Sequence, residues 1–214
     1  MIKPRVFVAT KFAVGREDLN DIESAVRRSL DSSLERLGRD SVDIFQLHTP
    51  VFLANDEIFR GIHLNHVLAS GGVADVLDRL RSEGLIRFAG FTGLGDTEAL
   101  LQVIESRRFD LCQAYVNLLN PSAAAGVPAS FNGQNFNGLV GKATQNGMGV
   151  VAIRVLAGGA LGGEVSRAGY AAHTVGGALA TGGEYETDRN RADKLGFLIK
   201  QLHGNLSQPG IRFV

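Results

Sequence analysis

Short apolar runs alternate along the chain with segments whose apolar residues recur every three or four positions. Val6–Ala9 is too short for a helix and predicts a strand buried on both faces. Leu19, Ile22, Val26, Leu30, Leu34 and Leu37 then trace one face of a long helix, with Asp18 as its expected N-cap and Gly38 as its stop. Val42–Leu47 predicts a second strand. His48–Ser70 has no period and is expected to be a long loop. Val73, Val76, Leu77 and Leu80 mark a second helix that stops at Gly84. Leu85–Phe91 predicts a third strand, and Asp96 caps a helix carrying Leu100, Leu101, Val103 and Ile104. Phe109–Val116 is a fourth strand, Asn132–Asn146 a glycine-broken helix and Met148–Val155 a fifth strand. A glycine-rich loop follows. Leu195, Leu198, Ile199 and Leu202 mark another helix, and Ile211–Val214 has the look of a strand cut short.

Strands that alternate with helices are expected to run parallel, because a helix supplies the crossover a parallel pair needs. Nearly continuous apolar strands fit a parallel sheet covered on both faces. Two α/β architectures meet this pattern, a doubly wound open sheet and a (β/α)8 TIM barrel. No Gly-x-Gly-x-x-Gly follows the first strand, which weighs against the dinucleotide-binding open sheet. Five strand–helix units and a final strand are fewer than the eight of a complete barrel.

Composition adds limits. The chain has 214 residues, 44% hydrophobic and 21% charged, as in ordinary globular domains. Lys plus Arg and Asp plus Glu are both 22, so the chain carries neither a basic footprint for nucleic acid nor a polybasic membrane patch. A single cysteine, Cys112, cannot form an intrachain disulfide, and within an apolar strand it reads as a buried, inert thiol. No apolar run approaches the ~20 residues of a membrane helix, and the first residues lack a signal-peptide core. A cytoplasmic protein is the expectation. Glycine, at 27 residues, is the outlier, and nine of them fall within Gly158–Gly183.

In a barrel, side chains at the carboxyl ends of the strands face the active site. Those positions here are Thr10-Lys11, Gln46-Leu47-His48, Thr92-Gly93, then Gln113, Tyr115 and Asn117, and finally Arg154. A lysine after an apolar strand either snorkels to solvent or serves chemistry. A histidine at a strand end is more often structural than catalytic. Together, an ammonium and a neutral imidazole on one rim can polarise a carbonyl oxygen and assist a proton donor. Asp43 is five residues from His48 on the same strand and points to the opposite face. His63 and His66 lack a matching set of metal ligands, so no metal is expected.

The motifs at these strand ends resemble those of the aldo-keto reductases. Phe7-Val8-Ala9-Thr10-Lys11-Phe12 is similar to that family's third barrel strand with its catalytic lysine. Ser29–Gly38 resembles its S-L-x-x-S-L-x-R-L-x segment. Val42–His48 resembles the V-D-L-x-Q-x-H strand that ends in the catalytic histidine, and Glu83–Thr92 the E-G-K-I-R-x-x-G-x-S segment. Gly147–Gly159 points to the aryl-alcohol and sugar dehydrogenase subgroup. The likeness runs in order from about Arg5 to Leu161 and more loosely to Phe213.

The resemblance implies a single barrel domain over residues 1–214, covering roughly strands 3 to 7 and the start of strand 8. It implies NADP(H), hydride transfer and a small carbonyl or alcohol substrate. Lys11 would tune a proton-donating tyrosine and His48 would orient the carbonyl oxygen. Thr92 and Gln113 would touch the nicotinamide carboxamide. Gly93 stands where the family often has asparagine. Ile153 or Arg154 occupies the place of a stacking aromatic. The Gly158–Gly183 segment is either a flap whose N–H groups cover the pyrophosphate or a plain surface loop, and its position after the inferred seventh strand favours the flap.

The family's donor tyrosine and its aspartate partner precede the lysine strand, whereas the ten residues before Lys11 contain neither Tyr nor Asp. Tyr115 lies on a later strand, and Tyr170 and Tyr185 are expected in a loop. The first two strand–helix units and the 2′-phosphate clamp beyond strand 8 are expected to be missing. An oxidoreductase and a non-catalytic barrel fragment therefore stand as alternatives, with a Schiff-base aldolase through Lys11 behind them.

Overall fold

The computed structural model describes residues 6–54, 61–163, 185–199 and 205–214. In chain order its elements are β1 (Ala9–Phe12), α1 (Ile22–Leu37), β2 (Val42–Leu47), β3 (Val51–Phe52), β4 (Ile62–His63), α2 (Leu64–Leu68), α3 (Val73–Ser82) and β5 (Ile86–Thr92). Then come α4 (Thr97–Glu105), β6 (Leu111–Tyr115), α5 (Leu139–Gln145), β7 (Gly149–Ile153), α6 (Tyr185–Asp193) and α7 (Ser207–Phe213). Among the described residues, five strands form an unclosed sheet in the order β1-β2-β5-β6-β7, and β3 and β4 make a small second sheet. The β1–β2, β2–β5 and β5–β6 pairings are parallel. No helix is long and apolar enough to cross a membrane.

The chain divides into two compact units. One comprises Met1–Gln113 and Lys142–Val151, the other Ala114–Gly141 and Ala152–Val214. In the first unit the register fixes two sheet faces of opposite character. Thr10 pairs with Phe45 and Phe45 with Ala89, while Phe12, Leu47, Phe91 and Cys112 form the next row. Phe12, Leu47, Phe91 and Cys112 are all buried. This face meets the helices: Thr10 and Ser33 of α1 bring their hydroxyl oxygens to 3.5 Å, and α3 packs on β5. Val26 and Leu30 of α1, with Val76, Leu77 and Leu80 of α3, are fully buried, each stabilising the fold by ~1.5–3 kcal/mol. On the surface Arg27 and Arg79 both grip Glu23, and Arg27 also binds Glu83, tying α1 to the end of α3.

In the second unit, Leu119, Ala157, Ala160, Leu161, Ala192 and Leu206 form a small apolar cluster. The loop after β6 is held by its own amides. Asn117 Oδ1 accepts from the Leu119 and Asn120 N–H groups, and Asn120 Oδ1 accepts from Ser122.

Several sequence expectations need correction. The first strand is Ala9–Phe12 rather than Val6–Ala9, and Val6 and Phe7 are exposed. Ladder hydrogen bonds, not apolar content, set its limits: β1 pairs with β2 from Ala9–Ile44 to Phe12–Leu47. Asp21, not Asp18, caps α1 by accepting from Ser24 N–H, whereas Asp18 sits in a 3-10 turn and accepts from Gly15 N–H. Gly38 does stop the helix, at φ +59°. The expected His48–Ser70 loop contains β3, β4 and α2, and its residues 55–60 lie outside the described set.

The helix expected over Asn132–Asn146 is confined to Leu139–Gln145. The helix expected around Leu195 is instead Tyr185–Asp193 followed by a 3-10 turn at Gly196–Ile199, and Leu202 lies outside the described residues. Ile211–Val214 is not the start of an eighth strand, because Ser207–Phe213 is helical. Pro209 sits in that helix's first turn, where its missing N–H costs nothing, and a four-residue apolar run does not separate strand from helix. The Gly158–Gly183 loop begins as a 3-10 turn over Ala157–Gly162, and its residues 164–183 lie outside the described set.

Candidate active site

Lys11 pairs with Gln46, and Gln46 with Gly90, across three neighbouring strands. Side chains two residues apart on a strand share a face, so His48 projects on the same side as Gln46, and Thr92 on the same side as Gly90. Thr92 in turn pairs with Gln113. Lys11, His48, Thr92 and Gln113 thus stand together on the face opposite the helices, at the carboxyl ends of β1, β2, β5 and β6.

Two ties hold the Lys11 and His48 strand ends. The His48 N–H donates to the Phe12 carbonyl at 2.8 Å, extending the ladder past β2. Thr49 Oγ1 accepts from Val14 N–H at 2.8 Å and donates to the Val14 carbonyl at 3.2 Å. Thr49 was not picked out by sequence, where nothing distinguishes it from any loop threonine.

The electrostatics of the pair are cationic and unneutralised. Burial alone lowers the pKa of Lys11, and no carboxylate among the described residues offsets it. Burial first, and the Lys11 charge second, lower His48, which favours a neutral imidazole at neutral pH. Asp43 faces elsewhere, as expected. Its carboxylate accepts from Val8 N–H at 3.0 Å and from Arg87 at 2.6 Å.

The next two strands carry unmet polar groups. Thr92 is 1% exposed and its Oγ1 has no hydrogen-bond partner, and Gln113 Oε1 is buried without one. Each such group costs ~1–3 kcal/mol in an empty fold. A hydroxyl and an amide side by side present the donors and acceptors that a ligand's primary carboxamide requires. Gln46 Oε1, on the same face, is the third buried oxygen without a partner. Sequence reasoning placed Gln46 at a strand end without assigning it a role, although a step of two from His48 carries the signal.

Ile153, Arg154 and Gly158 belong to the second unit, at and after the end of β7. Ile153 and Arg154 are half-buried, and the Ile153 carbonyl accepts from Val116 N–H at 3.4 Å. Arg154 has φ +57° and Ala157 φ +50°, unusual for residues with side chains, and Gly158 and Gly159 follow at +67° and +104°. The Arg154 carbonyl holds this bend by accepting from Asn117 Nδ2 at 3.0 Å and Ala157 N–H at 2.7 Å.

The remaining candidates fall into structural roles. Cys112 is fully buried, as expected, and burial pushes its thiol up to about 12, which disfavours the nucleophilic thiolate. His63 Nδ1 accepts from Asn65 N–H at the start of α2, and no metal-ligating cluster occurs among the described residues. Tyr115 is buried and stacks on Phe136 at 5.7 Å, with its pKa raised by burial. Tyr185 opens α6 rather than lying in a loop, and Tyr170 lies outside the described residues.

Known proteins resemble the chain in sequence and in fold. The chain matches the Aldo/keto reductase family over residues 2–213. It is 37% identical over 87 residues to the L-galactose dehydrogenase of Arabidopsis thaliana, a match covering 41% of this chain and 24% of that protein. It is 29% identical over 134 residues to a D-threo-aldose 1-dehydrogenase of Pseudomonas sp, covering 61% of this chain and 36% of that one. Among solved structures, the glycerol dehydrogenase of Gluconobacter oxydans superposes with a TM-score of 0.61 at 19% identity, over 99% of this chain and 60% of that one. The matches to the two curated relatives thus span about a quarter and a third of their lengths. The unclosed parallel sheet is part of a (β/α)8 barrel, and the chain belongs to the aldo/keto reductase family.

Proposed function

We propose that the chain carries part of the active site of an NADP(H)-dependent oxidoreductase that interconverts alcohols with aldehydes or ketones, with a sugar or aryl alcohol as substrate. The observation that carries this reading is the shared face of Lys11, His48, Thr92 and Gln113, with two buried oxygens awaiting partners. Bound NADP(H) would supply or accept the hydride, and solvent water would supply or accept the accompanying proton. Thr92 and Gln113 would hold the cofactor's carboxamide. Ile153, Arg154 and Gly158 are cofactor-binding candidates of the second unit, taken by itself. His48, neutral because of burial and the Lys11 charge, donates one N–H to the carbonyl oxygen and orients it. Lys11 places positive charge beside that oxygen, where negative charge develops during reduction.

The test is a fluorescence titration with NADPH, followed by NADPH consumption over a panel of aldehydes and aldoses. Wild type is expected to bind. Thr92→Val with Gln113→Leu should weaken binding about tenfold or more, the worth of one to two hydrogen bonds. Unchanged affinity in the double variant refutes the reading. A second reading, binding without turnover, is favoured by one observation: the unit that carries Lys11 and His48 contains no tyrosine. Tight NADPH binding with no consumption on any aldehyde would select it. Loss of consumption in Lys11→Met with retained binding would select the oxidoreductase.

A further inference from the structure

Gln46 is used by no step above, yet it is the most conspicuous unmet polar group of the site. It is 3% exposed, and its Oε1 has no hydrogen-bond partner. A buried amide end left dry is unfavourable unless something outside the described fold satisfies it. Its direction is fixed by its neighbour. A Cβ built on Gly90 would stand 2.7 Å from Gln46 Cγ and 3.2 Å from both Cδ and Oε1. The side chain therefore lies across the bare backbone of Gly90, leaning from β2 towards β5. That is away from Lys11, which pairs with Gln46 from the other side on β1. It is towards the strand that carries Thr92, two residues beyond Gly90.

We propose that Gln46 is a third binding residue for the nicotinamide end of the cofactor, its amide hydrogen-bonding the carboxamide from the row beneath Thr92 and Gln113. This rests on the nicotinamide reading of the site. Two amides pair well because each brings both a donor and an acceptor. The arrangement also compensates for Gly93, which has no side chain with which to contact the carboxamide. Gly90 is then the seat of Gln46, a position where any side chain would push the amide out of place.

The experiment compares two ligands on the full 214-residue chain. NADPH carries the carboxamide, whereas 2′-phospho-ADP-ribose keeps the phosphates and adenosine and lacks the nicotinamide. Gln46→Met, close to isosteric, and Gln46→Leu are expected to weaken NADPH about tenfold and leave 2′-phospho-ADP-ribose within twofold. The melting temperature without ligand should hold or rise, because a dry polar group has been removed. Gly90→Ala should reproduce the NADPH-selective loss. Equal weakening of both ligands with a lowered melting temperature would make Gln46 a structural residue and overturn the proposal. Unchanged NADPH affinity in both Gln46 variants, with normal wild-type binding, would overturn it alone. Failure of wild type to bind NADPH would overturn it together with the reading beneath it.

Discussion

Replacing Gly95 by alanine drives a methyl group into backbone. Gly95 follows β5 and forms an isolated parallel bridge with Val51. A Cβ there would overlap the Val51 carbonyl oxygen and lie 2.6 Å from its nitrogen and 2.7 Å from its carbonyl carbon. These are main-chain atoms, so no side-chain rotation relieves the contact. The conformation, φ +119°, is also one that residues with side chains rarely adopt, worth ~1–3 kcal/mol. Two hydrogen bonds run through the bridge, Val51 N–H to Leu94 O and Asp96 N–H to Val51 O, both 2.9 Å. Losing both adds ~1–3 kcal/mol.

The total expected for Gly95→Ala is ~4 kcal/mol. Gly84→Ala separates the two causes, because Gly84 has φ +77° but nothing within 4 Å of its would-be Cβ. It should cost only ~1–2 kcal/mol, the conformational part alone. Urea denaturation followed by circular dichroism reads both. With a slope of ~2 kcal/mol per molar, the Gly95→Ala midpoint falls by about 2 M and the Gly84→Ala midpoint by about half that or less. Equal midpoints for the two variants, at unchanged slope, would refute the steric reasoning.

Three further outcomes follow from named contacts. An NMR titration should place the His48 midpoint below 6.5, and Lys11→Met should move it only part of the way back, since burial is the larger cause. A lowered native pKa means the unfolded chain takes up this proton first. Acidification from about pH 6.5 through the native midpoint therefore removes stability, and a midpoint at or above 6.5 would contradict the assignment. Asp43→Ala removes a buried carboxylate that serves both Val8 N–H and the half-exposed Arg87, and should cost ~2–3 kcal/mol by thermal melting. A change under ~0.5 kcal/mol would make that pair irrelevant to the fold. Thr49→Val leaves the Val14 N–H and carbonyl without a partner hydroxyl. It should cost ~2 kcal/mol and speed hydrogen exchange at Val14, where unchanged exchange would sink the clamp.

The strands that carry Lys11, His48, Thr92 and Gln113 were legible because each is a local pattern, an apolar run ending in a polar residue of definite chemistry. Their place on one rim was read from their positions at strand ends, whereas their sharing of one face follows from the register of β1, β2, β5 and β6. Register and capping were less so. Asp18 and Asp21 both precede the apolar face of α1, and only the backbone turn at Arg16–Asp18 decides which one caps it. Asp96 marks the start of α4, yet its carboxylate accepts from Leu53 N–H instead of from its own helix. Long-range ties of this kind leave no trace in spacing. The α7 segment failed for a different reason: four apolar residues suit either state, and packing of Gly210 near Leu156 and Leu161 decides for helix. Gln46 shows the converse. Its motif was visible, but its lack of a partner is a property of the folded surroundings.

β1 and β2 pair over only four positions, from Ala9–Ile44 to Phe12–Leu47. A ladder this short opens locally at a cost below the free energy of global unfolding. When it opens, Lys11 parts from His48, while Thr92 and Gln113 stay paired on β5 and β6. The binding-competent population is then the fraction of molecules with β1 docked. Any ligand that uses Lys11 has an apparent dissociation constant inflated by the inverse of that fraction. The ligand in turn closes the strand, so amide exchange along Ala9–Phe12 slows as the site fills. The ladder bond from His48 N–H to Phe12 O, and the Thr49 clamp beyond it, thereby set affinity from outside the site, by setting how often the site exists.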